Sequence, residues 1–124
     1  MHLSDEEFEL VVEEAIASIP EGFQRYLEDL VVDIEDMPDK TTCQDVGVRD
    51  PRGLLGLYRG VPLTKRHVED PYRYPERIVI YQRNIERICR TREQMVNQIR
   101  KTVLHEIGHH FGLSERQLRE LGYG

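Results

Sequence analysis

This 124-residue chain is poor in cysteine, has no long apolar run and carries no surplus of positive charge. Each lack closes off a class of protein. The two cysteines, Cys43 and Cys89, are far apart and outside any metal-ligand spacing. They read as reduced thiols of a cytoplasmic protein rather than as a disulfide framework. No stretch approaches the roughly 20 apolar residues that span a membrane. The opening Met1-His2-Leu3-Ser4-Asp5-Glu6-Glu7 is acidic and lacks the apolar core of a secretory signal. A net charge of −6 with 32% charged residues predicts a well-solvated surface. It argues against nucleic acid or an anionic membrane as the main partner. There is no internal repeat and no low-complexity segment. The length suffices for one core, so a single domain over residues 1–124 is expected, with a monomer favoured.

What is present is a run of alternating scaffold signals. Phe8, Val11, Val12, Ala15, Ile16 and Ile19 form one apolar face, which predicts a helix over residues 5–19. Ser4 and Glu7 make a capping box, Leu3 can staple against Phe8, and Pro20 and Gly22 stop the helix. Leu30 to Glu35 reads as a strand with Leu30, Val32 and Ile34 on its buried face. Met37 to Gly53 is polar and turn-rich and is expected to be a long loop. Leu54 to Arg59 and Arg77 to Gln82 read as two further strands. Gly60 to Glu76, with Pro62, Pro71 and Pro75, is a second long connection. The two long loops are candidates for a cleft rim. A short helical segment around residues 84–90 leads to the last long helix.

That last helix carries the chemistry. It reads His105-Glu106-Ile107-Gly108-His109, followed by His110-Phe111-Gly112-Leu113-Ser114-Glu115. Two histidines four apart on a helix can grip one ion, and the glutamate between them is placed to work on a water. Met95, Ile99, Val103, Ile107 and Phe111 recur every four residues as a core stripe. At about 100° per residue, His105 and His109 fall roughly opposite that stripe, with Gln98 and Thr102. They are expected to face a cleft or solvent. His110 points near the stripe and reads as a structural residue or as one that supports the site from behind. Thr91 and Gln94 supply an N-terminal capping box, and Gly112 a left-handed C-cap. A straight helix would carry Glu115 about 9 Å beyond His109, so the turn at Gly112 is what could swing it back.

The run His105 to Glu115 resembles the signature of the minimal zincin-like metallopeptidase family of small bacterial proteins. Leu54-Leu55-Gly56-Leu57-Tyr58, Ile78-Val79-Ile80-Tyr81 and the ending Leu121-Gly122-Tyr123 extend the resemblance over most of the chain. It implies an α+β, pared-down zincin fold: a small twisted mixed sheet, a backing helix and an active-site helix. The spacing also resembles the metzincin motif, with Glu115 where metzincins have a third histidine. A downstream methionine turn is missing, since Met1, Met37 and Met95 all precede the motif.

The resemblance implies Zn2+ held by His105, His109 and Glu115, with Glu106 as general base acting through a metal-activated water on a peptide bond. The imidazole-rich set favours zinc. Glu120 is a second candidate ligand, on a short helix over residues 114–121 capped by Ser114. On that helix Glu115 also suits the first turn for the helix dipole. Tyr123 is a candidate transition-state donor, or an aromatic packing the chain end. The expected substrate is a peptide or unfolded protein, lying along an edge strand for which residues 54–59 are the better candidate. His67, beside Arg66 in the long connection, reads as a solvated loop residue or a rim residue. Tyr72 and Tyr74 read as loop packing. The alternative function is a catalytically silent zincin-like module that binds metal or a protein partner.

Overall fold

The computed structural model describes residues 1–24, 27–59 and 76–120. Its elements run α1 (Asp5–Ala17), α2 (Glu21–Gln24), β1 (Leu30–Glu35), α3 (Lys40–Val46), a 3-10 turn (Pro51–Gly53), β2 (Gly56–Tyr58), β3 (Glu76–Tyr81), α4 (Gln82–Ile88), α5 (Arg92–His110) and α6 (Glu115–Glu120). The class is α+β, with one three-stranded mixed sheet packed on helices. No described helix is long and apolar enough to cross a membrane.

The sheet order is β1-β3-β2. β3 is central, parallel to β1 with Val32 opposite Ile78, and antiparallel to β2 with Leu57 opposite Val79. A central strand is covered on both faces, so its sequence is a continuous apolar run. Ile78, Val79, Ile80 and Tyr81 are all fully buried. The core lies between one face of the sheet and the helices. Ile78 and Ile80 meet Phe8, Val11 and Ala15 of α1 and Met95, Ile99 and Val103 of α5 in one cluster. Leu30, Val32 and Ile34 pack against it, as their alternation predicts.

The N-terminal cap of α1 forms as expected. Ser4 Oγ accepts from Glu7 N–H at 3.2 Å, and Glu7 Oε1 accepts from Ser4 N–H at 3.1 Å. Leu3 joins Phe8 in the core, and α1 ends at Ala17 rather than Ile19. The expected long loop from Met37 to Gly53 is corrected. It holds α3 and the 3-10 turn. Asp39 caps α3 by accepting from Thr42 N–H at 2.7 Å, and Gly47 ends it at φ +75°. Lys40-Thr-Thr-Cys-Gln-Asp-Val46 has β-branched and short polar residues of poor helix propensity, so tertiary packing and caps decide the outcome. β2 is shorter than expected, three residues within 54–59. The segment after β3 is helical from Gln82, two residues earlier than expected. The second long connection, with Arg66, His67, Tyr72 and Tyr74, lies outside the described residues.

Candidate active site

α5 forms where its sequence suggests, but the expected capping box is only half made. Thr91 Oγ1 accepts from Gln94 N–H at 3.1 Å. The returning Gln94 side chain accepts from Arg90 N–H at 2.7 Å, one residue ahead of the usual box partner. Met95, Ile99 and Val103 are fully buried, Ile107 is 4% exposed and Phe111 packs beside them. The opposite face carries His105 and His109. Their ring centroids are 4.6 Å apart, edge to face. His105 is half-buried and His109 exposed, so neither is a core residue.

The far end of α5 is a turn built on glycine. Gly112 has φ +83°. Leu113 N–H donates to Gly108 O at 2.8 Å and Gly112 N–H to His109 O at 3.1 Å. This pair of bonds is a Schellman motif, which ends a helix and redirects the chain. α6 then starts at Glu115, with Ser114 Oγ accepting from Gln117 N–H at 3.1 Å. α6 seats on α5 through Leu118, which is 1% exposed. A Cβ on Gly108 would lie 2.6 Å from Leu118 Cδ2, so the motif's glycine is the contact that lets α6 approach. Glu115 thus follows the turn closely, and its side chain lies outside the described residues. Glu120 is exposed and engages Arg116 at 3.2 Å, four residues back on the same helix. Tyr123 lies outside the described residues.

The histidine face of α5 is covered at one point by a neighbouring strand. Thr102 shares that face yet is only 9% exposed, because edge strand β2 lies across it. Gly56 permits the approach: a Cβ there would meet Thr102 Cγ2 at 2.6 Å and Val79 O at 3.1 Å. Gln98 Nε2 then donates to Thr102 Oγ1 at 3.2 Å. Asn84, fully buried, holds the approach to β2 by donating to Pro51 O at 2.8 Å and Leu54 O at 2.7 Å.

β2 also reaches the motif directly. Tyr81 N–H bonds Leu55 O and Arg59 N–H bonds Arg77 O, so the odd-numbered residues of β2 face β3. By the alternation of an antiparallel pair, Gly56 and Tyr58 turn their backbone groups to the outer edge, which pairs with no strand among the described residues. There the Tyr58 N–H donates to the Glu106 carboxylate. The Tyr58 ring stacks on His110 at 4.2 Å, with its hydroxyl 3.1 Å from Nε2. His110 is thus half-buried against Tyr58, apart from the face that carries His105 and His109. Burial pushes the Glu106 carboxyl above the ordinary carboxylate range; the Tyr58 bond and the nearby His105 and His109 only partly oppose this.

A cleft of about 360 Å³ opens beside Glu106. It is lined by Gly53–Gly56 on one side and Gln98, Lys101, Thr102, His105 and Glu106 on the other. Tyr58 and Lys101 were not singled out from sequence. Lys101 lies four residues before His105, a helical spacing that could have flagged it. Tyr58 gave no local signal, because its role depends on strand pairing.

The donor chemistry fits a zinc ion: two imidazoles on one helix face and a carboxylate between them that is held elsewhere by a backbone amide. Among the described residues, no three His, Cys, Asp or Glu side chains cluster closely enough to hold an ion, and Glu115's side chain is not among those described. Residues 27–124 match the family model of the zincin-like metallopeptidases. The three-stranded mixed sheet backed by helices is consistent with that fold. No curated protein matches the chain.

Proposed function

The chain belongs to the zincin-like metallopeptidase family, and from that premise we propose that it is a zinc-dependent peptidase with Glu106 as its general base. The observation that supports this most is the pairing of His105 and His109 at 4.6 Å, with half-buried Glu106 between them on the cleft. In this reading His105, His109 and Glu115 hold the ion. When bound there, zinc would lower the pKa of a water and polarise the scissile carbonyl.

The chain's own groups do the rest. Glu106 accepts the proton as the water oxygen attacks the carbonyl carbon. It returns that proton to the amine nitrogen as the C–N bond breaks. Tyr58 orients the base through its backbone N–H, and its ring braces His110. An extended peptide would bind along the open edge of β2, where the backbone groups of Gly56 can pair with it. Tyr123 is a proposed donor to the developing oxyanion. The free state of Cys43 and Cys89 is compatible with work in the cytoplasm on short or unfolded peptides.

The test is reconstitution. Chelated protein should cleave no member of a quenched-fluorescent peptide library, and one equivalent of zinc should restore cleavage. A zinc-loaded wild type that cleaves nothing overturns the peptidase reading and leaves the silent metal-binding or interaction module.

A further inference from the structure

The cleft beside Glu106 has a neighbour on α5. A second hollow of about 430 Å³ lies along α5, lined by Ile88, Cys89, Gln94, Asn97, Gln98, Arg100 and Lys101. The two hollows share Gln98 and Lys101. Along α5 from His105 back to Gln94 the rise is about 16 Å, the length of roughly five residues of extended peptide.

The charge of this groove runs against that of the protein. The chain carries −6 overall. The hollows on the α1 and β1 side are lined by Glu9, Glu13 and Asp33, and by Asp5, Glu9, Glu35 and Asp36. Among the described residues, the α5 groove is lined by Lys101 and Arg100, with Glu106 as the one carboxylate. Arg100 is engaged by Ser18 Oγ at 2.8 Å and by Asn97. Lys101 is exposed and has no hydrogen bond or ion pair among the described residues. Opposite it, Leu54 and Leu55 offer an apolar wall to a side-chain stem.

We propose that this groove is an acidic-side-chain subsite, in which Lys101 selects peptides bearing Asp or Glu beside the bond that is cut. The inference rests on the peptidase reading and names its substrate class. A lysine at the rim acts as a mobile point charge, so it selects for charge more than for side-chain length. Its attraction is partly solvated, which sets the selectivity at about two- to fivefold for Glu over Gln.

The experiment compares matched fluorogenic peptides with Glu, Gln or Lys at the positions flanking the scissile bond, on zinc-loaded protein. The expected order of kcat/KM is Glu above Gln above Lys, with the spread shrinking as salt is raised. In Lys101→Glu the order should reverse. Cleavage with no preference for Glu, or a preference that survives Lys101→Glu, overturns the subsite while leaving the peptidase reading intact. If no peptide is cut, the peptidase reading fails and binding decides the subsite. Fluorescence anisotropy should then show the Glu peptide held more tightly than the Lys peptide, with the order inverted in Lys101→Glu. Equal affinities, or no binding of either peptide, overturn the subsite.

Discussion

Replacing Gly56 by alanine sets close packing against backbone propensity, and the two predict opposite signs. Gly56 has no positive φ, so alanine fits its backbone. Restricting the unfolded chain would then stabilise the protein by about 0.4–1 kcal/mol. The packing says otherwise. The new Cβ would sit 2.6 Å from Thr102 Cγ2, 3.1 Å from Val79 O and 3.3 Å from Ile80 Cδ1. Val79 O belongs to the central strand and cannot easily give way. Overpacking of this kind costs about 1–3 kcal/mol, so the net loss should be about 1–2 kcal/mol. Unfolding entropy for 124 residues is about 0.26 kcal/mol/K. The melting temperature should therefore fall by about 4–8 °C in differential scanning calorimetry. Thr102→Ser removes the clashing methyl and keeps the hydroxyl that Gln98 engages. Combined with Gly56→Ala it should recover about 1 kcal/mol relative to the sum of the single changes. Gly56→Ala as stable as wild type, or strict additivity in the cycle, would refute the β2–α5 contact.

Three further outcomes follow from the same geometry. Burial raises the pKa of Glu106, so the folded state holds that proton more tightly than the unfolded state. Stability of the metal-free protein should fall as pH rises from the unfolded carboxylate value through the raised folded one; metal-free Glu106→Gln should melt higher than wild type at neutral pH, with the gap closing in acid. For the third ligand, Glu115→Gln should weaken zinc binding by at least tenfold in a competitive chelator titration, and Glu120→Gln, whose native partner is Arg116, should leave it within about twofold. Gly108→Ala gains about 1 kcal/mol of helix propensity but crowds Leu118; it should lower amide-exchange protection in α6 and reduce zinc affinity, and unaltered exchange there would contradict the seating of α6 on α5.

What was readable in the sequence was local or periodic. The Ser4–Glu7 cap, the β1 boundaries, the core phase of α5 and the turn at Gly112 all depend on residues within a few turns of one another. So does the separation of His105 and His109 from His110. What was missed depends on partners distant in sequence. α3 has weak helix formers between two good caps, and its polar composition reads as a loop. Thr102 lines the cleft yet is buried, because Gly56 lets β2 lie over it, and a helix wheel carries no sign of that strand. Tyr58 acquires its link to Glu106 from strand parity set by β3.

The central claim, that Glu106 acts as base beside an ion held by His105 and His109, is tested most directly by Glu106→Gln. Zinc content by mass spectrometry and cleavage of the peptide library should be measured on the same wild-type and variant samples. One zinc per chain is expected in both proteins, with a fall in cleavage of about 10²–10⁴-fold in the variant. Cleavage retained by Glu106→Gln at the wild-type rate, with zinc bound, would contradict the claim.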